Sequence, residues 1–383
     1  MRFVLRFVIQ SALSVSLAFA AGSKAVVIQD VTVVDVASGS LRPHMTAVID
    51  GQRIMALGPA GSVQAPGGSR SVNGTGKYLT PGLWDMRVDL RDAGKQIPLF
   101  VAFGVTGVRD QGGDFDRVTA KRLEIAQGGS VGPHIVTSGP SVGGRPSADP
   151  RTAVLVAGTP QQARQAFDQL SKLAVDFIQI MPDISRDAYL ALAEQARHWS
   201  LRLDGEIPSG VSAWEAVDAR QGIIEDLSSV SALPADSATK FFERCAMMGT
   251  RISPLLNQPG SDVARMSQLM MLAKLARVEI LAGTGTGDSY AQAGASLHNQ
   301  LSQLVGAGLT PRDALEAATL APVRLLGWES EMGSVERGKI ADLVLVDANP
   351  LENIENMLRI DGVFARGRYY SRGDLDAIRA AAK

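Results

Sequence analysis

Between Pro81 and Trp328 eight short apolar runs alternate with amphipathic stretches of helical period, and no other feature of the chain restricts its fold so much. We place strands at Leu83 to Val88, Val105 to Arg109, Ile135 to Ser138, Phe177 to Ile180, Arg202 to Ile207, Ile223 to Leu227, Arg251 to Leu256 and Glu279 to Gly283. Strands separated by helices must re-enter their sheet in the same direction, so the alternation calls for βα units and a parallel sheet. Eight such units predict an α/β fold, a (β/α)8 TIM-like barrel. Two links show their helix signals plainly. SRDAYLALAEQARHW opens on Ser185 as N-cap and repeats apolar residues at three-to-four spacing. TPRDALEAATLAPVRLLG offers Thr310 as cap, Pro311 in the first turn and Pro322 at the start of a second short helix.

The two ends of the chain follow a different grammar. From Lys24 to Thr80 short β-rich runs are broken by turns, with Asp50-Gly51 as a hairpin signal. ADLVLVDANP and GVFARGRYY repeat that pattern near the C-terminus. Neither set has enough strands to cover its own apolar face. We therefore expect residues 21–80 and 329–383 to build one small β-sandwich beside a barrel of residues 81–328.

Ahead of these lies a leader. Arg2 and Arg6 precede an apolar core from Phe7 to Phe19, and Ala18-Phe19-Ala20 is a small-x-small cleavage pattern, so residues 1–20 read as a signal peptide and the mature protein as periplasmic or secreted. The apolar run is too short to span a membrane, so no membrane association is expected after cleavage. Lys and Arg total 38 against 39 Asp and Glu, with no basic stripe, which argues against a nucleic-acid partner. The single cysteine, Cys245, lies in a helical context (FFERCAMMG) and reads as a buried small residue.

The stretch LTPGLWDMRVDL, Leu79 to Leu90, joins the two regions. It resembles the first barrel strand of the amidohydrolase superfamily, in its imidazolonepropionase and prolidase-like branch, where a Pro-Gly-x-x-Asp-Met-His-x-His segment puts two histidines on metal. GVTGVRDQGG, GPHIVTSGP, GLTPRDALEAATLAPVRLLG and ERGKIADLVLVDANPLENI match the same family in the same order. The resemblance implies a barrel with a sandwich built from both chain ends, and ancestral hydrolysis of carbon–nitrogen bonds.

It also implies where ligands would sit, and all six of those positions are substituted. The two histidines are Arg87 and Asp89; the bridging carboxylated lysine of the fourth strand is Gln179; the histidines of the fifth and sixth strands are Glu206 and Asp226; the aspartate of the eighth is Gly285. None of His44, His134, His198 and His298 falls on a ligand position, so zinc, which wants His or Cys donors, is not expected. Gly283 to Gly287 reads as the eighth strand-loop without its aspartate rather than a phosphate cradle, and Asp288 as a cap or loop residue. Arg109 and Asp110 read as a structural ion pair or loop anchor.

Three carboxylates, Asp89, Glu206 and Asp226, held within roughly 6 Å would repel by about 3 kcal/mol per ionised pair at an effective dielectric of ~20, and one Arg87 cannot balance them. An Arg87-centred ion-pair network without metal, a hard cation (Mg²⁺, Mn²⁺ or Ca²⁺) on the three carboxylates, or no defined site all remain open. The expected function is a non-catalytic binding or partner protein on the amidohydrolase scaffold. Its ligand would be a small, preferentially cationic molecule, and its protein partner a second copy or a related amidohydrolase. The alternatives are a hydrolase of an amide, lactone or ester working through a rebuilt carboxylate or hard-metal site, and an ordinary family enzyme.

Overall fold

The computed structural model describes residues 25–91, 96–149, 151–256, 262–285 and 292–382. The leader at 1–20, and Thr286, Gly287 and Asp288 of the glycine loop, lie outside the described residues. Five strands come first: β1 (Val26–Asp35), β2 (Ser40–Asp50), β3 (Arg53–Pro59), β4 (Arg70–Asn73) and β5 (Tyr78–Pro81). Nine follow in the central region: β6 (Leu83–Val88), β7 (Val105–Asp110), β8 (His134–Thr137), β9 (Ser141–Gly143), β10 (Val154–Val156), β11 (Ile178–Ile180), β12 (Leu203–Gly205), β13 (Ile223–Glu225) and β14 (Arg251–Ser253). The last three are β15 (Leu343–Val346), β16 (Ile360–Ala365) and β17 (Arg368–Ser371).

The central strands close on themselves as a barrel. β6, β7 and β8 pair in parallel, as do β11, β12, β13 and β14. Asp176 N donates to Thr137 O (3.0 Å), and Ile180 pairs with Val142, which join the two groups. The third strand is thus broken, running as β8 and then β9 around the left-handed Gly139 (φ 61°). The eighth is the segment from Glu279 to Gly285, held by backbone bonds rather than by a regular ladder. Leu281 N donates to Ile252 O (2.9 Å), Met86 N to Ala282 O (2.9 Å) and Gly285 N to Arg87 O (2.8 Å), returning the sheet to β6.

Helices cover the outside for the reasons the sequence suggests. Arg186–Trp199 starts where Ser185 accepts from Ala188 N, buries Ala188, Tyr189, Leu192 and Ala196 on one face, and stops at left-handed Ser200. Thr310 and Asp313 form a capping box for Pro311–Ala317, and the next helix, Leu320–Leu326, opens two residues before Pro322. That helix carries Ala321 and Val323 against Trp84, Met86, Val136, Phe177, Ile223 and Leu281, an apolar plug toward the N-terminal ends of the strands.

The chain ends form one hydrogen-bonded sheet in the order β17-β16-β15-β5-β1-β2-β3, with β4 also on β1. β1 bends at irregularities between Ile28 and Val33, pairing first with β4 and then with β5. The sheet wraps its own core of Ile28, Val31, Ile49, Ile54, Leu79, Leu343 and Phe364. Its two layers are therefore parts of one bent sheet, with β5 pairing β15 from Tyr78–Val346 to Pro81–Leu343.

Candidate functional site

Above the apolar plug the barrel interior is filled by a guanidinium. Arg109, fifth of six residues in β7, is completely buried and lies over the Phe177 ring with Cζ 3.8 Å from its centroid. Its Nη1 donates to Glu225 Oε1 (2.7 Å) and Met86 O (3.1 Å). Its Nη2 donates to Asp204 Oδ2 (2.9 Å) and Gln179 Oε1 (3.2 Å). Gln179 Nε2 donates to Glu225 Oε2 (2.9 Å), and Gln111 Nε2 donates to Glu225 Oε1. Arg202 Nε adds a 2.7 Å bond to Asp204 Oδ2. Two guanidiniums thus face two carboxylates, and Asp204, Glu225 and Arg109 have no solvent exposure. Charges removed from water at such cost persist only when paired, and here each carboxylate meets a guanidinium, while Asp204 Oδ1 and Arg109 Nε are buried without a hydrogen-bond partner among the described residues.

Nearer the mouth, Arg87 Nη2 donates to Glu206 Oε1 (3.0 Å), with side chains 15% and 30% exposed. Burial raises the Glu206 carboxyl above its ordinary range, Arg87 opposes this, and Asp226 and Glu225 add to it. Asp89 turns to Arg91, accepting from its backbone N–H (2.9 Å) and lying 2.5 Å from its Nε. Asp226 leaves β13 in a left-handed conformation (φ 63°) and accepts from Ser228 N. Gly285 contributes only its backbone bond to Arg87 O. Arg87 forms an ion pair with Glu206, as the sequence suggests, and a second, more deeply buried network is centred on Arg109. Of the six ligand-position residues only Gln179 belongs to that hub. Asp89, Glu206 and Asp226 do not act as one donor set, because Asp89 and Asp226 each turn to a local partner.

Asp85, the aspartate of the segment that joins the two regions, is fully buried. It accepts from Thr284 Oγ1 (2.6 Å), Thr284 N (3.0 Å) and Arg87 N (3.2 Å), clamping the eighth strand to the first. Burial outweighs these bonds and pushes its carboxyl up to about 7. Asp110 is a loop anchor, accepting from Thr137 Oγ1, Leu90 N and Gly113 N, with burial raising it to about 6. It does not pair with Arg109.

The histidines stand apart from the mouth. His134 lies 2.7 Å from Asp342 Oδ2, at an angle unsuited to a hydrogen bond, and stacks on Trp84 between barrel and sheet. His298 meets Phe103 O at 2.8 Å, and burial lowers it to about 4. His44 bonds Asp30 in the sheet, and His198 packs on Trp199 along its helix. Cys245 is buried, its thiol pushed up to about 12.

The hub also answers whether a metal pair fits. The oxygens that converge on the centre, from Glu225, Asp204, Gln179 and Met86, already accept from Arg109. A cation placed among them would meet the guanidinium charge. Among the described residues no group of three or more His, Cys, Asp or Glu side chains is arranged to hold an ion. At the ligand positions implied by resemblance, the described residues Arg87, Asp89, Gln179, Glu206, Asp226 and Gly285 do not supply the histidine and lysine donors of such a site. Sequence reasoning missed Asp204 and Glu225; their signal was a carboxylate one or two residues before each family position, in LDGE and IED.

Comparison with known proteins agrees with this architecture. The model of the amidohydrolase family matches residues 103–369. A 5-methylthioadenosine/S-adenosylhomocysteine deaminase from Symbiobacterium thermophilum is 37% identical over 106 residues, spanning 24% of this chain and only 23% of that protein. A proposed prolidase from Bifidobacterium longum superposes with TM-score 0.78 at 25% identity, over 94% of this chain and 99% of the other. Molinate hydrolase superposes with TM-score 0.79 at 19% identity, over 93% and 96%.

Proposed function

Because the chain belongs to the amidohydrolase family, we propose that it is an exported member that has exchanged metal-dependent hydrolysis for binding a ligand or partner at the barrel mouth. One observation carries this reading: the buried Arg109 takes up Glu225, Asp204 and Gln179 where a metal would need free oxygen donors. Export rests on the Ala18-Phe19-Ala20 pattern. The charges of Asp226 and Glu225 reach Glu206 beside Arg87, so the mouth favours amines and guanidines over carboxylates. Elemental analysis of the exported protein, with thermal shift in polyamines beside acidic dipeptides, tests this. Stoichiometric zinc, or stabilisation by the acidic ligands in preference to the amines, would overturn it.

A second reading has its own support. A carboxyl raised above its ordinary range by burial, as Glu206 is, is a stronger base than a free carboxylate and a candidate general base. On that reading the protein hydrolyses an amide, lactone or ester without metal. Turnover that persists in chelator and disappears in Glu206→Gln is its signature.

A further inference from the structure

Away from the mouth, a polar cavity of about 170 Å³ lies where the carbonyl end of the helix Phe115–Ala126 meets the β16–β17 hairpin. Arg366, Arg368, Tyr370, Gln52, Gln127 and Ser130 supply its polar lining, and no carboxylate lines it. Among the described residues neither arginine has an ion-pair partner, and Arg366 Nε is buried without an acceptor. Asp342 and Asp374 are the carboxylates whose charge reaches them, and among the described residues neither forms an ion pair with Arg366 or Arg368. Asp342 Oδ1 accepts from Arg366 N (2.7 Å), and Asp374 Oδ2 accepts from Ser371 N and Oγ. The helix carbonyls that would repel an anion are themselves satisfied: those of Leu123, Ile125 and Glu124 accept from the backbone N–H of Gln127, Gly128 and Gly129.

The backbone makes the choice of arginine more telling. Ala365 pairs with Arg368 across a two-residue turn in which Arg366 and Gly367 both have positive φ, 50° and 78°. Such a turn favours Asn-Gly, and a long side chain at its first central position is strained. The turn cannot swing away, since Gly367 N donates to Ala341 O (2.9 Å) and a Cβ on Gly367 would lie 2.0 Å from Gly51 O. The chain therefore holds a guanidinium without an ion-pair partner among the described residues, at a strained position against a small, partly open pocket. We propose that this pocket binds a small free oxyanion, a phosphate or a short carboxylate, through Arg366 and Arg368, with Ser130, Gln52 and Gln127 as hydrogen-bonding neighbours.

The test uses the full mature chain, with melting and calorimetry in inorganic phosphate and in malonate, against chloride at matched ionic strength. The expected result is a saturable rise in Tm with phosphate or malonate that chloride does not give. Arg366→Asn supplies the residue that the turn prefers. It should melt higher than wild type in chloride, yet bind the anion at least about tenfold more weakly, as should Arg368→Gln. No saturable response to either anion, or an undiminished response in Arg366→Asn, would overturn the proposal.

Discussion

Arg109 is one residue on which two buried carboxylates depend, and this sets the cost of losing it. Arg109→Ala strands Glu225 without its guanidinium and leaves Asp204 with Arg202 alone, so it should destabilise the fold by about 3–5 kcal/mol, the usual cost of breaking a buried pair on one side. The urea midpoint measures this, and a loss under about 1 kcal/mol, typical of exposed pairs, would contradict the hub. Neutralising all three members together, as Arg109→Met with Glu225→Gln and Asp204→Asn, should recover much of the loss. Asp85 gives a pH signature. Its carboxyl keeps a proton up to about 7 in the folded chain, whereas the unfolded chain releases it near ~3.9. Between those values the folded state binds more protons, so the stability this group contributes is complete below the lower value and falls as pH rises toward the upper one. Asp85→Asn mimics the protonated form. The variant should therefore match wild type near pH 4 and gain on it progressively up to pH 7, as melting curves across that range would show. The sequence could not reveal the hub, because Arg109 sits beside Asp110 and Glu225 beside Asp226, and a shift of one residue along a strand reverses which side chain faces inward. The family pattern pointed to Asp226, yet that residue leaves β13 in a left-handed conformation, and it is Glu225 that joins the buried hub.

Elements were the most legible level, since their signals are local. The run Leu83 to Val88 is β6 to the residue, and Thr310 caps the helix that its sequence announces. The eighth strand was legible as an apolar run but is irregular, with a single Ile252–Ile280 bridge, because its closure depends on Asp85 gripping Thr284 across nearly two hundred residues. The short pair β9 and β10 was not foreseen; three residues each are too few to show a period. Thr310→Ala tests a local signal at this scale. It removes the side-chain acceptor for Asp313 N but leaves the backbone N–H of residue 310 donating to Asp313 Oδ2, which also holds Lys274 at 2.6 Å. A loss of about 1 kcal/mol is expected, and Thr310→Ser should restore most of it.

At the scale of the whole molecule, the two ends of the chain share one sheet, and what holds them together is β5. It lies between β1 and β15, pairing in parallel with one and antiparallel with the other. β15 also fills the core with Leu343 and Leu345, alongside Phe364 of β16, and the turn before it carries Asp342, which meets His134 of the barrel. The sequence made this sharing readable, because both ends carried strand patterns too short to be stable alone. The bend that folds one sheet into two layers was not readable, because it arises from irregular pairing within β1. A chain ending before Gly333 would lose β15, β16 and β17 together, exposing the far edge of β5 and the apolar faces of Ile28, Val31 and Leu79. An unpaired edge beside exposed Val and Ile invites association with other chains. Such a truncation should therefore aggregate or melt without a cooperative transition, and supplying residues 333–383 as a separate segment should restore solubility. A truncated chain that stays soluble and monomeric with one sharp transition would show that the N-terminal strands form a self-sufficient unit, contrary to the pairing of β5 with β15.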